Sequence, residues 1–333
     1  MRLPRLVIGV AMCLASVRVF AVSPPEVTLT RADDRVRVEI GGQLLTEYIF
    51  KGAYRPYCYP VLAADGTPLT RNFPMKQVAG EDPDHPHHRS LWFAHSDVNG
   101  VDFWNQDDAG SRRPKGKIVH DALLETTSGA VGVIRARDRW VAPDGKVFCT
   151  DDTTIRFAGS GSERTIDFEV TLNAPADAPV ELNDNKDGVL ALRLAAWLNQ
   201  PRPPNTNRRF TGGVGQLVTA RGDRDGAAWG KRAPWADFHA VHDGRTYGVA
   251  IFDHPQNLRH PTWWHARDYG LFAANPLGQH DFEPKSTPVN AGRHTIPAGG
   301  SLTLRYRVFL HYGDEKEAKL GERYEEYAAG KRP

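Results

Sequence analysis

Leu302-Thr-Leu-Arg-Tyr-Arg-Val-Phe-Leu310 alternates apolar and polar side chains along most of its length. That period constrains the chain more than any other feature of its sequence. Successive side chains of a strand point to opposite faces, so a period of two marks a strand with one face buried. The same period recurs at Val36–Ile40, Thr153–Phe157, Thr165–Leu172 and Leu190–Leu194. Between such runs stand Asp65-Gly66, Asp144-Gly145, Asp187-Gly188 and Asp243-Gly244, dipeptides suited to hairpins and tight turns. With 31 Gly and 24 Pro, long helices are few. The exception is Asp314–Ala329, rich in helix formers, which predicts one C-terminal helix turning Leu320, Tyr324 and Tyr327 inward. The expected fold is all-β: one large antiparallel β-sandwich over residues 22–333, closed by a short C-terminal helix.

Residues 1–21 read as a signal peptide. Arg2 and Arg5 precede an apolar run from Leu6 to Val17, and Val19-Phe20-Ala21 offers a cleavage site. That run is about a dozen residues, short of the roughly 20 that span a bilayer. A periplasmic or secreted protein is expected, with no membrane partner. Removing the segment takes three of the 42 basic residues, leaving 39 against 40 acidic ones. A near-neutral chain carries no electrostatic footprint for nucleic acid. Of the cysteines, Cys58 and Cys149 remain, and the sequence leaves open whether they pair or stay as buried thiols.

Chemistry concentrates in Glu81–Gln106, EDPDHPHHRSLWFAHSDVNGVDFWNQ. It holds four of the 13 histidines, five acidic residues and two of the eight tryptophans. Imidazoles and carboxylates are costly to bury unpaired, yet Leu91-Trp92-Phe93 and Phe103-Trp104 are too apolar for a solvated loop. Polar groups against aromatic walls make a small-molecule cleft. His87, His88 and Asp102 are the candidates for acid–base catalysis, since imidazole titrates near working pH. His85, Arg89 and Trp104 are candidates for substrate binding. A metal held by His85 and His87, which share a side in an extended segment, stays open. So does a purely structural role for some of these histidines.

Phe252–Gln279 repeats the flavour, with Asp253-His254-Pro255, Arg259-His260-Pro261, Trp263-Trp264-His265 and Arg267-Asp268-Tyr269. Here His260 is the catalytic candidate, and His254, Arg259, Trp264, Arg267 and Asn275 the binding ones. Asp187, before a strand, joins them. Aromatic faces stack on sugar rings while Arg, Asn and His bond hydroxyls, so the two clusters are expected to line one cleft. His87 or His88 would then lie beside His254, His260 or Arg259. No Gly-x-Ser-x-Gly elbow, Walker loop or dinucleotide fingerprint is present, which removes the familiar hydrolase, ATPase and dehydrogenase classes.

Several blocks together carry a family resemblance: Tyr59-Pro60-Val61, Asp84–Phe93, Asn99–Trp104, Asp187-Gly188, Arg259-His260-Pro261, Arg267–Gly270 and Asn275-Pro276. On these the chain resembles a bacterial family labelled "PmoA family" or "methane oxygenase PmoA". Its β-rich pattern is similar to the galactose-mutarotase-like supersandwich. Together with the two clusters, the resemblance leads to the expectation of a carbohydrate-active enzyme using His/carboxylate acid–base chemistry. It would be of epimerase, lyase or hydrolase type, on a small-molecule or oligosaccharide substrate, with no cofactor expected. The alternatives are a non-catalytic carbohydrate-binding protein and, from the family label, a metal-dependent oxygenase. The oxygenase would use His85, His87 and one of His254, His260 or His265.

Overall fold

The computed structural model describes residues 26–106, 113–201 and 212–331. The signal-peptide segment 1–21 lies outside them. Five strands come first: β1 (Val27–Arg31), β2 (Arg35–Ile40), β3 (Gln43–Ile49), β4 (Tyr57–Val61) and β5 (Leu91–His95). A meander follows, of β6 (Lys117–Thr127), β7 (Gly132–Val141), β8 (Val147–Ser160) and β9 (Glu163–Asn173). Next are β10 (Val180–Leu182), β11 (Gly188–Arg193), β12 (Gln216–Thr219), β13 (Trp235–His242), β14 (Arg245–Asp253), β15 (Trp263–Ala266) and β16 (Leu271–Asn275). The one-turn α1 (Gln279–Phe282), β17 (His294–Ile296), β18 (Ser301–Tyr312) and α2 (Leu320–Ala328) complete the chain.

Two eight-stranded sheets result, the first in the order β1-β2-β3-β4-β5-β11-β16-β15 and the second in the order β12-β13-β14-β18-β9-β8-β7-β6. Neighbouring strands run antiparallel throughout. The expected sandwich is therefore present. Phe93 of the first sheet meets Trp140 of the second, and Phe272 meets Phe238, so these residues fill the interior between the sheets. Asp243 and Gly244 both have positive φ, 49° and 79°, as the two-residue turn joining β13 to β14 requires. Leu320, Tyr324 and Tyr327 are buried against Ala250, Phe252 and Phe309, which fixes α2 on the outer face of the second sheet. Each such side chain contributes about 1.5–3 kcal/mol when fully buried.

Three details differ from the sequence reading. The helix begins at Leu320 rather than Asp314, because Asp314 accepts from the Lys316 and Glu317 amides and caps a turn instead. Asp187-Gly188 is no hairpin: Gly188 opens β11, where a Cβ would stand 2.5 Å from the His95 ring. And β11 does not alternate. All six of its residues are buried, Arg193 included, because both faces of the strand are covered. Cys58 and Cys149 are free, buried thiols, with burial pushing the Cys58 thiol up to about 12.

The interior also holds a row of acids. His120 faces Asp138 across β6 and β7, and Asp138 faces Asp151 across β7 and β8. His120 Nδ1 bonds Asp138 at 2.9 Å, and Asp151 accepts from Trp140 Nε1 at 2.8 Å and from the Thr153 hydroxyl at 2.7 Å. Burial, then the charge of Asp138, pushes the Asp151 carboxyl up to about 7. An unfolded Asp titrates near 3.8, so between about pH 4 and 7 the folded chain holds a proton that the unfolded chain releases. The contribution of Asp151 is fully present below that window and declines as pH rises through it, by at most about 1.4 kcal/mol per pH unit. In denaturant titrations across that window, the stability of the native chain relative to an Asp151→Asn variant should fall as pH rises. A difference independent of pH would show that the carboxyl is already ionised.

Candidate active site on the outer face of the first sheet

The register places four residues in one row across the first sheet. Trp92 pairs with Ala191, Ala191 with Ala273, and Ala273 with His265. Paired residues of antiparallel strands share a face. Phe93 and Phe272, one position along, point into the interior, so this row points outward. Trp92 and His265 stand three strand spacings apart, about 14 Å between Cα positions, with two alanines between them. The row is a low floor with an indole at one side and an imidazole at the other. Arg193 and Asn275 fall on the same face by the same alternation.

Over the Trp92 side lies the Asp84–Arg89 loop, bent by positive φ at His85 (41°) and Ser90 (55°). Non-glycine residues rarely adopt this conformation, and such strain collects at functional loops. Three buried arginines from outside the loop hold it. Arg71 donates to the carbonyls of Asp82, Asp84 and His85 and to Asp84 Oδ1 at 2.6 Å. Arg55 donates to the carbonyls of His87, Phe103 and Trp104. Arg193 donates to Asp84 Oδ1 at 2.7 Å and to His88 Nδ1 at 3.2 Å. Burial works to raise the Asp84 carboxyl, but the His85 bond at 2.6 Å and the charges of Arg193 and Arg71 hold it well below the usual range.

The rings stack in consequence. His85 lies parallel to His88 at 4.8 Å and to Tyr269 at 5.0 Å, His88 lies on Trp92 at 5.3 Å, and Trp104 packs 5.0 Å from Trp92. Burial first, and then the positive charge of Arg55, takes His87 down to about 2. Burial, then the neighbouring His87 and Arg193, holds His88 well below its ordinary value. Both imidazoles are neutral at any working pH. An arginine has no acceptor, so His88 Nδ1 receives the Arg193 bond and its proton sits on Nε2.

At the other side of the floor, His265 Nδ1 donates to the Lys186 carbonyl at 2.8 Å, with Asp187 Oδ1 3.8 Å away. Asn275 Nδ2 donates to the carbonyls of Asn185 and Lys186. The tautomer of His265 is thereby set: Nε2 carries the lone pair. Burial, then Arg267, lowers this imidazole to about 3. His265 Nε2, His87 Nδ1, Trp92 Nε1 and Arg193 Nε are buried with no hydrogen-bond partner among the described residues. Buried polar atoms are nearly always paired, and here four that are not gather over one floor. Atoms left this way also occur elsewhere, at Tyr48, Arg139 and Tyr306 among others, so the four mark a candidate site.

The two sequence clusters therefore do meet, at Tyr269 against His85 and His88, but not where the sequence reading put the contact. His260 Nδ1 bonds Asp253 at 2.8 Å and its Nε2 faces the Tyr324 hydroxyl at 3.4 Å, while His254 packs on Tyr327. Both belong to the α2 side of the second sheet. Arg259 donates to the carbonyls of Pro276, Gly292 and Arg293, and so acts as a loop staple. Trp264 faces the interior, bonding the Ala233 carbonyl and packing on Phe272. Asp102 is fully buried and accepts from the Trp104 and Asn105 amides, which suits a turn cap more than proton transfer. Arg89 lies over Tyr57 and Arg267 over Trp229. His85, His87, His88 and Trp104 stand together, while Asp187 and Asn275 stand with His265 at the other side of the floor.

Missed were Arg55, Arg71, Arg193 and Tyr269 as site-builders, and His265 outside the oxygenase set. An arginine amid Leu190-Ala-Leu-Arg-Leu194 was the available signal, since charge inside so apolar a run needs a buried partner. Of the oxygenase ligand set, His85 and His87 lie 5.6 Å apart by ring centroid, with His254 and His260 held at α2. Among the described residues no group of three or more His, Cys, Asp or Glu is placed to hold a metal ion, and no helix is long and apolar enough to cross a membrane.

Comparison with known proteins adds a family and a set of distant folds. The model of a family of unknown function, DUF6807, matches residues 35–325. No curated protein matches the sequence. Among solved structures, an α-galactosidase from Lactobacillus brevis is 9% identical with a TM-score of 0.41, the match covering 86% of this chain and 39% of that one. The α-galactosidase AgaA of Geobacillus stearothermophilus is 13% identical, at a TM-score of 0.37, with 86% and 40% covered. The chain thus spans about two fifths of the length of these enzymes. A galactose mutarotase-like protein from Clostridium acetobutylicum is 8% identical, at 0.39, with 87% and 99% covered. Likenesses this distant carry no argument about activity.

Proposed function

The chain belongs to DUF6807, a family of unknown function, and we propose from the geometry above that it is a carbohydrate-active enzyme that transfers protons through neutral imidazoles. The observation that carries this reading is His265. Its Nδ1–H is anchored on a backbone carbonyl beside Asp187, and its Nε2 lone pair is buried and unpaired. An imidazole oriented through one nitrogen and free at the other is the arrangement of a general base. The rings of His85, His88, Trp92 and Tyr269, stacked on one another, make an aromatic wall of the kind found beside bound sugars. Asn275 orients the Asn185–Lys186 segment. Abstraction of a proton from a sugar carbon or hydroxyl, as in an epimerase or lyase, uses these groups most directly.

The purified protein should bind members of a panel of sugars and sugar acids and convert at least one, followed by calorimetry and by NMR of the sugar. Binding without conversion of any would favour a carbohydrate-binding protein instead. The same proposal puts the enzyme outside the cytoplasm, on the strength of residues 1–21, and a mature N-terminus near residue 22 in the exported protein would support it.

A further inference from the structure

We propose that the substrate is an acidic sugar, whose carboxylate sits at Arg193, Trp92 and His88 while a ring hydroxyl reaches His265. The inference rests on the sugar-directed reading of the same site and names the class of sugar. Its basis is the inventory of donors and acceptors over the floor. Arg193 Nε and Trp92 Nε1 are buried donors without a partner, and neither side chain can accept. His88 Nε2 carries a proton because its Nδ1 receives Arg193. His88 stacks on Trp92 at 5.3 Å and its Nδ1 takes the Arg193 bond, so the three donor-bearing side chains are neighbours at one side of the floor.

A hydroxyl could accept from one of them, but its own proton would find no acceptor on Arg193, Trp92 or His88. A carboxylate accepts only, at about four lone-pair sites. The charges agree. Arg71 and Arg193 both bond the same oxygen of Asp84, and the other oxygen takes His85. The nearby carboxylates are spent on the backbone, Glu81 on the Asn72 and Phe73 amides and Asp82 on that of Asp84. Two buried guanidinium groups thus face one committed carboxylate, and an incoming anion adds the charge that is missing. At the far side the unpaired group has the opposite sense: His265 Nε2 is an acceptor, which calls for a ligand hydroxyl. One anionic end and one hydroxyl end, on a flat body, describe a hexuronate or a short chain beginning with one.

Isothermal titration with galacturonate, glucuronate, galactose and glucose tests this, on the native chain and on Trp92→Phe, which keeps the ring but loses the N–H. The expected result is that at least one uronate binds about tenfold or more tighter than its neutral parent, the size of a hydrogen bond to a charged group. The preference should shrink at high salt and shrink again in Trp92→Phe. An Arg193→Lys variant, if folded, keeps the charge but loses Nε and should weaken uronate binding alone. Neutral sugars binding as well as or better than uronates would overturn the inference and leave the sugar-directed reading standing. Binding of none of the four would overturn both.

Discussion

His265→Asn is expected to lower turnover of a sugar substrate by about 10²–10⁴-fold, the usual contribution of a positioned general base. The amide nitrogen of Asn occupies roughly the place of Nδ1, so the bond to the Lys186 carbonyl survives while the Nε2 lone pair is lost. His265→Gln does the reverse: it reaches the Nε2 position but gives up the anchor. A base predicts that both variants lose kcat and that the Asn variant keeps KM near the native value. A packing role predicts that the two lose stability in proportion to volume and lose activity only as they unfold. The melting temperature of the Asn variant should fall by a few degrees, since a buried side chain has been trimmed.

The pH dependence follows from the same environment. Burial, and then Arg267, lowers His265 to about 3, so the base form is present throughout the neutral range. On its acid side, kcat/KM should therefore show no fall near pH 6.5 and should hold until the fold itself fails. An acid limb centred near 6.5 would mean that the essential imidazole is solvated, and would point to another histidine. The fold should be acid-sensitive for a related reason. His87, His88 and His265 are held neutral by burial and gain protons readily only when unfolded. Their contribution is complete above the unfolded value of 6.5 and declines as pH falls below it.

Much of this molecule is legible from pattern alone. The period of two located β2, β8, β9 and β18, because one face of each is buried and the other is not. The helix-forming tail gave Leu320, Tyr324 and Tyr327 as its inward residues for the same reason. The mixture of imidazole and indole in Glu81–Gln106 falls on the loop whose rings stack over Trp92. What pattern cannot carry is which surface a segment faces once the sheets are paired. Phe252–Gln279 has one composition, yet Asp253 to His260 serves the α2 side of the second sheet while His265, Tyr269 and Asn275 serve the outer face of the first. The chain passes from one sheet to the other between His260 and Trp263, and no local signal reports the crossing. Arg193 was hidden differently. The apolar run around it hinted at a buried partner, but an arginine in an alternating run also reads as solvent-facing. The register that sets it against Ser90 and under His88 is what identifies the partners.

Replacing Arg71 with Met should destabilise the protein by about 3–5 kcal/mol, the usual cost of breaking a buried ion pair from one side. The side chain is 2% exposed, and Met replaces its apolar stem but not the guanidinium, so the loss is mainly that of the charge and its bonds. What remains is the Asp84 carboxylate with one guanidinium instead of two, and three carbonyls, those of Asp82, Asp84 and His85, without their donor. The strained conformation at His85 has no other support of this strength, since positive φ at a non-glycine residue persists only when its surroundings impose it. The loop should then relax, and the parallel contacts of His85 with His88 and Tyr269 should be lost along with the melting temperature. A double-mutant cycle with Asp84→Asn tests the cause. If Arg71 acts through Asp84, the two losses should fall short of additivity by 1 kcal/mol or more, as coupled neighbours do. Additive losses would mean that the carbonyl bonds carry the loop and that the shared carboxylate matters little to its shape.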